Sequence, residues 1–304
     1  MNEDNLNLIK EKLGEESVLQ NEPMSKHTSF KVGGPAKFFV IPKNAEELAY
    51  VIKVLAKAKE KYFILGNGSN VLVRDEGFDG TIILIKDNIK YYRSGSNGIE
   101  TKVTVSAGMT LKDLSDALLK DGLCGFEFAS GIPGCVGGAM AMNAGAYGGE
   151  MKDVVCGAKV IDQNGKIISL TKEELEMGYR SSAIQKKGYV LLEAYLLLKS
   201  GDPNEIRAKI DDFTARREEK QPLDMPSAGS TFKRPEGYFA GKLIMDSGLR
   251  GYRHGGAMIS EKHCGFVVNT GDATAADIIA LIEEVQNIVF EKFGVRLEPE
   301  VRII

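Results

Sequence analysis

Two glycine-rich loops and a few dispersed ionisable side chains are the parts of this 304-residue chain that could do chemistry. The first loop, Leu65-Gly66-Asn67-Gly68-Ser69-Asn70, follows an apolar run and ends in a hydroxyl and an amide. Successive main-chain N–H groups in such a turn form a concave site for an anion. It is not the dinucleotide fingerprint, because Val71 stands where a third glycine or alanine is needed and a strand, not a helix, resumes. No GxxxxGK[ST] occurs either, so phosphates are not held by a P-loop lysine. The second loop, residues 129–151, is more specific. Pro133 between Gly131 and Gly134 sets a rigid turn, and Gly137-Gly138 opens a predicted helix. A helix start beside a glycine turn is a diphosphate site. Two such loops without a lysine to match the charge point to a diphosphate held by main-chain N–H groups, and so to a dinucleotide such as FAD.

The elements that must carry these loops are legible. Residues 36–41 read as a strand and 45–57 as a helix with Leu48, Val51, Ile52 and Leu55 on one face. Tyr62–Leu65 is a second strand, and apolar residues resume at Val71–Val73. Residues 80–106 read as strands around a polar turn at Ser94–Asn97. Thr110, with Asp113 three residues on, caps a helix whose Leu111, Leu114, Leu118 and Leu119 face inward. A hairpin is expected around Asn164-Gly165, a capped segment from Thr171, and a strand at 189–198. Ser200-Gly201-Asp202-Pro203 marks a domain boundary and caps a helix to about Lys220, with Ile206, Ile210 and Phe213 inward. Helices near 238–246 and 274–293 precede a closing strand over 295–304.

Composition excludes other classes. Lys plus Arg number 39 against 42 Asp plus Glu, a net charge of −3, which argues against nucleic acid as partner and against an acidic disordered chain. The start lacks a basic stretch leading into an apolar core, and no apolar run is long enough for a bilayer, so a cytoplasmic protein without membrane contact is expected. The four cysteines, at 124, 135, 156 and 264, show no CxxC spacing and only three histidines accompany them, so no metal site is expected. All four read as small buried hydrophobes. Glycine is in excess, at 34 residues, nine of them between 122 and 149. Interleaved Phe126, Phe128, Ile132, Val136, Met140 and Tyr147 show that this stretch is no flexible linker.

Six segments together, HTSFKVGGPA (27–36), ILGNGSN (64–70), SGIPGCVGGAMAMNAGAYGGE (130–150), GYRSS (178–182), PSAGSTFKRP (226–235) and LEPEVR (297–302), resemble the UDP-N-acetylenolpyruvoylglucosamine reductase family in that family's order. The resemblance implies an α+β architecture. Two subdomains form an FAD-binding fold of the vanillyl-alcohol oxidase and p-cresol methylhydroxylase type, and a C-terminal α/β domain binds substrate. The corresponding division is 1–87, 88–200 and 201–304. Only 49 residues separate Arg180 from Ser230, which matches the family's shorter second type without a tyrosine-lid insertion.

By the same resemblance the enzyme reduces the enolpyruvyl group of UDP-N-acetylglucosamine enolpyruvate to UDP-N-acetylmuramate for peptidoglycan. NADPH is the hydride-donating co-substrate and FAD is bound non-covalently. Hydride passes from flavin N5 to C3, and a proton from Ser230 to C2. Arg180 matches the arginine that binds the carboxylate, as a guanidinium can bind it in a bidentate way and keeps its charge. Glu300 matches a glutamate acting beside it, which is favourable only if one carboxyl holds a proton or the arginine lies between them. Gly66, Asn67, Gly68, Ser69, Asn70, Ser130, Gly131, Ile132, Pro133, Gly134, Gly137 and Gly138 are implied at the cofactor diphosphate. Asn143, Gly145, Ala146 and Tyr147 would lie along the cofactor. Lys220, Lys233 and Arg302 are implied at the substrate, Lys220 near its diphosphate and Lys233 (or a bound water) in support of Ser230, with Lys220 and Arg302 also readable as solvated charges or salt-bridge partners. Position 234 is Arg where many members carry Asn. His27 reads as a structural hydrogen bonder. A sugar-nucleotide-binding monomer is expected. Two other readings stay open at this point: an FAD-dependent alcohol or hydroxy-acid oxidoreductase of the same superfamily, and a non-catalytic flavin or nucleotide-sugar binding protein.

Overall fold

The computed structural model describes residues 3–86, 88–96 and 100–304. The chain divides into two compact units that interleave in sequence. The first comprises 1–20, 38–67 and 80–216, and the second 21–37, 68–79 and 217–304. The boundary read at 201 thus falls inside the first unit.

The first unit is built on a mixed and an antiparallel sheet. The mixed sheet runs in the order Val18–Pro23, Pro35–Val40, Phe78–Leu84, Tyr62–Leu65, with the last two strands parallel. The larger sheet orders Ile167–Thr171, Val155–Ile161, Val190–Ser200, Thr101–Ser106 and Tyr92–Ser96, each antiparallel to its neighbour, with Leu123–Cys124 against the end of Val190–Ser200. Ser94–Ser96, read as part of a turn, belong to a strand, and Asn97 lies outside the described residues. Helix Ala45–Ala58 buries Leu48, Val51, Ile52 and Leu55 with Phe38, Val40 and Ile83. Asn44 caps it, accepting the Glu47 N–H at 2.9 Å. Helix Leu111–Lys120 buries Leu111, Leu114, Leu118 and Leu119, and its Thr110 cap accepts the Asp113 N–H at 3.1 Å. Asp162 closes the Asn164-Gly165 hairpin, accepting the N–H groups of Asn164 and Lys166 at 2.8 Å each. The segment from Thr171 is a capped turn, not a helix.

The second unit packs helix Ala275–Phe293 on a three-stranded sheet of Arg253–His254, Ala257–Ile259 and Val267–Asn269. Ile278, Leu281, Ile282, Val285 and Val289 share its core with Ala257, Ile259, Val267 and Phe30. The helix start is doubly satisfied. Thr274 and Asp277 form a reciprocal capping box, while Asp75 accepts the Ala275 and Ala276 N–H groups at 2.8 Å each.

The closing segment departs from expectation. Strand structure there is confined to Arg302–Ile303, parallel to Val71–Leu72, with one isolated antiparallel bridge between Pro299 and Phe232. Phe213 is half-buried, not core. Its ring lies parallel to that of Tyr147, 4.5 Å between centroids. Cys135 and Cys264 are buried as expected, whereas Cys124 and Cys156 keep partial solvent contact.

Candidate functional site

In the first unit the two glycine loops meet. The α-carbon of Gly66 faces Cys135, where an added Cβ would stand 3.4 Å from the cysteine Cβ. Cys135 precedes helix Val136–Met142, the helix predicted to open at the second loop. Its first two N–H groups, however, are not offered to an anion. Val136 donates to the Met109 carbonyl and Gly137 to the Ala107 carbonyl, each at 2.9 Å. Gly137 therefore serves close packing, with an added Cβ only 3.3 Å from the Ala107 carbonyl oxygen. The first loop is different: among the described residues, no main-chain N–H from Gly66 to Asn70 donates to a protein acceptor. Five consecutive donors on a glycine turn suit the oxygens of a diphosphate, so the loop fits FAD.

Past the helix, Gly145–Ala146 and Gly149–Glu150 form a hairpin closed by Tyr147 and Gly148, with φ of 52° and 88°. Positive φ at both central residues matches the twist of a two-residue hairpin. Tyr147 Oη donates to the Phe213 carbonyl at 3.1 Å.

Arg180 stands on a similar tight turn. Gly178 and Ser181 exchange N–H···O bonds of 3.0 and 3.2 Å, leaving Tyr179 and Arg180 at the tip. Arg180 has φ 51°, a conformation unusual for a side chain of its size. Its guanidinium lies 5.0 Å from the Tyr179 ring centroid. The turn is held from the second loop. The fully buried Asn143 donates to the Gly178 carbonyl and to Glu150 Oε2, both at 2.9 Å, and its Oδ1 accepts the Lys152 N–H at 2.9 Å. Expected along the cofactor, Asn143 thus has its whole amide committed inside the protein. The Lys152 ammonium, 2.7 Å from Glu150, together with the Asn143 amide and the Arg180 charge, holds the Glu150 carboxyl below its ordinary range.

In the second unit the loop Gly68–Asn70, the segment 227–233 and the chain end come together. Gly68 has φ 63°, and an added Cβ would fall 1.9 Å from the His27 carbonyl oxygen. Ser29 joins two loops, its Oγ donating to Ser227 O at 2.6 Å and its N–H to Gly68 O at 3.1 Å. Asn70 Nδ2 donates to the Glu300 carbonyl at 3.2 Å, and the Arg302 N–H donates to Asn70 O at 3.1 Å. Exposed Ser230 follows Gly229, whose φ is 76°. Buried Thr231 accepts the Glu300 N–H at 2.7 Å on its carbonyl and the Val267 N–H at 2.9 Å on Oγ1. Lys233 donates its N–H to Glu298 O at 2.8 Å.

The cations are placed less tightly. Lys233 Nζ pairs with Glu298 at 3.0 Å. Arg302 is exposed on its short strand and keeps its charge. Lys220 is exposed at the end of helix Pro203–Lys220. Arg234 stacks on Phe239, 4.0 Å from its centroid. His27 Nε2 lies 3.0 Å from Glu22 Oε1, in keeping with a structural hydrogen bonder. Sequence reasoning missed Ser29, Thr231 and Glu150 as supports. Ser29 and Thr231 sit inside the quoted motifs, but local pattern does not reveal which distant carbonyl a hydroxyl will find.

Residues 36–171 match the model of an FAD binding domain, and residues 221–304 match that of the UDP-N-acetylenolpyruvoylglucosamine reductase C-terminal domain. The chain is 54% identical to UDP-N-acetylenolpyruvoylglucosamine reductase of Lachnoclostridium phytofermentans, over 100% of this chain and 98% of that one. It is 51% identical to the reductase of Clostridioides difficile, over 96% and 95% respectively. The crystal structure of the reductase from Thermus caldophilus superposes with a TM-score of 0.77 at 35% identity, covering 94% of this chain and 97% of that one. An alkyldihydroxyacetonephosphate synthase shares the fold over 66% of this chain at 14% identity and TM-score 0.51.

Proposed function

Because the chain belongs to the UDP-N-acetylenolpyruvoylglucosamine reductase family, we propose that it reduces the enolpyruvyl group of UDP-N-acetylglucosamine enolpyruvate to UDP-N-acetylmuramate, with bound FAD and with NADPH as donor. The chemistry FAD supplies when bound, non-covalently in this reading, is two-electron transfer from NADPH to the enolpyruvyl C3. The N–H groups of Gly66 to Asn70 would hold its diphosphate, supported by Ser130 to Gly134, with Gly145 to Tyr147 alongside.

Reduction at C3 leaves negative charge on C2 and the adjoining carboxylate. Arg180 would bind that carboxylate through two N–H donors and stabilise the charge as it grows. Ser230 would give its proton to C2, and Glu300 would act beside the same carboxylate. Lys220 would lie near the substrate diphosphate, Lys233 would support Ser230 as donor, and Arg302 would stand at the substrate. The observation that carries this reading is the hydrogen bond from Glu300 N–H to Thr231 O, which sets the proton donor's neighbour and the glutamate on one short ladder. A monomer in the cytoplasm, with 1–87 and 88–200 serving the cofactor and 201–304 the substrate, completes the proposal. Among the described residues no helix is long and apolar enough to cross a membrane.

The test is anaerobic stopped-flow of flavin absorbance. NADPH is expected to bleach the protein, and UDP-N-acetylglucosamine enolpyruvate to restore the colour with formation of UDP-N-acetylmuramate. A flavin that bleaches but is not reoxidised by the sugar nucleotide would contradict the reading.

A further inference from the structure

We infer that Asn143 is a positioning residue for Arg180, acting through the Gly178 carbonyl; this rests on the proposed role of Arg180. The turn 178–181 holds Arg180 at φ 51°, where a non-glycine residue needs support from its surroundings. That support converges on one acceptor. The Gly178 carbonyl receives the Ser181 N–H at 3.2 Å, which closes the turn, and the Asn143 amide at 2.9 Å, which fixes the turn to the protein. A carbonyl oxygen has two lone pairs, so both bonds can be made in full. The Ser182 hydroxyl makes a second tie on the far side of the tip, donating to the Ala141 carbonyl at 2.8 Å.

Asn143 is itself immobilised. It is buried, its other amide proton goes to Glu150, and Oδ1 accepts the Lys152 N–H. It also ends helix Val136–Met142 in the left-handed conformation, φ 43°. One residue therefore links the end of the glycine-loop helix to the turn that aims the guanidinium. Aspartate in its place would lack both donors and would set a carboxylate beside that of Glu150. Glycine would keep the left-handed helix end without strain and delete the link.

The discriminating variant is Asn143→Gly, measured in the FAD-loaded protein. It is expected to keep its FAD and its rate of bleaching by NADPH, while reoxidation by the enolpyruvyl sugar nucleotide slows by roughly ten- to a hundredfold, the scale for a misplaced catalytic group. In an Arg180→Ala background the same change should add no further loss, since a residue acting through Arg180 has nothing left to position. Reoxidation within twofold of the parent, loss of FAD, equal slowing of both half-reactions, or losses that multiply in the double variant would each overturn the inference. If Asn143→Gly does not fold, Asn143→Ser, which removes the amide donors without adding a charge, is judged by the same outcomes. Parent protein that is not reoxidised by the sugar nucleotide contradicts the proposed function instead, so the two failures are distinct.

Discussion

The main-chain N–H of Glu300 donates to the carbonyl of Thr231 at 2.7 Å. Two segments far apart in sequence are thereby locked in register, since Lys233 N–H donates to Glu298 O in the same short ladder and Phe232 bridges Pro299. Ser230 is one residue beyond this ladder. Its position relative to the Glu300 main chain is consequently set by backbone hydrogen bonds instead of flexible side chains. Such preorganisation is what Ser230 would need for its proposed role as proton donor, since a serine is a poor acid.

Asn70 extends that ladder to the first glycine loop. Its amide holds the Glu300 carbonyl at 3.2 Å. Asn70→Ala should cost about 1 kcal/mol of stability, the usual value of one such bond. It should slow flavin reoxidation by the sugar nucleotide more than reduction by NADPH. Thermal unfolding and transient kinetics on the same preparation check both, and equal slowing of the two steps would remove Asn70 from the support of Glu300.

Much of this was legible in the sequence because it is local. Thr110 and Asp113, three apart, predict a cap, and the spacing of Leu48, Val51, Ile52 and Leu55 predicts a buried helix face. The motifs around Arg180, Ser230 and Glu300 point to the chemistry through the family resemblance. What stayed hidden depends on distant partners. Nothing near Gly137 foretells that the Ala107 carbonyl takes its N–H, and nothing near Asn143 foretells Gly178, 35 residues away. The interleaving of the two units is hidden for the same reason, since residues 21–37 and 68–79 join the C-terminal unit through packing that no local pattern encodes.

Gly68 permits no side chain. A Cβ there would overlap the His27 carbonyl oxygen, and φ 63° is strained for any L-residue with one. Gly68→Ala should destabilise the protein by roughly 2 kcal/mol or more and release FAD, against the usual half to three for single substitutions. Calorimetry and flavin content check this. An alanine variant with the parent's melting temperature would show that the loop relaxes freely.

Acid should weaken the fold in a defined window. Lys152 and Asn143 hold the Glu150 carboxyl below its ordinary 4.5, and Lys90 and then Thr110 hold that of Asp113 below 3.8. Each folded-state pKa is lower than the unfolded one. Their stabilisation is therefore fully present above about pH 4.5 and lost as pH falls through the folded values. Melting temperatures should be nearly flat from about pH 7 to 5 and drop below about 4, with a shallower acid limb in Glu150→Gln. An unchanged acid limb in that variant would discount Glu150.

The central claim is that Ser230 delivers the proton of the second half-reaction and has no part in the first. Ser230→Ala, loaded with FAD and studied by anaerobic stopped-flow, measures this directly. Bleaching by NADPH should proceed at the parent rate, while reoxidation by UDP-N-acetylglucosamine enolpyruvate and formation of UDP-N-acetylmuramate should fall by a hundredfold or more, the scale of a lost general acid. Loss of both half-reactions together, or reoxidation at the parent rate, would contradict it.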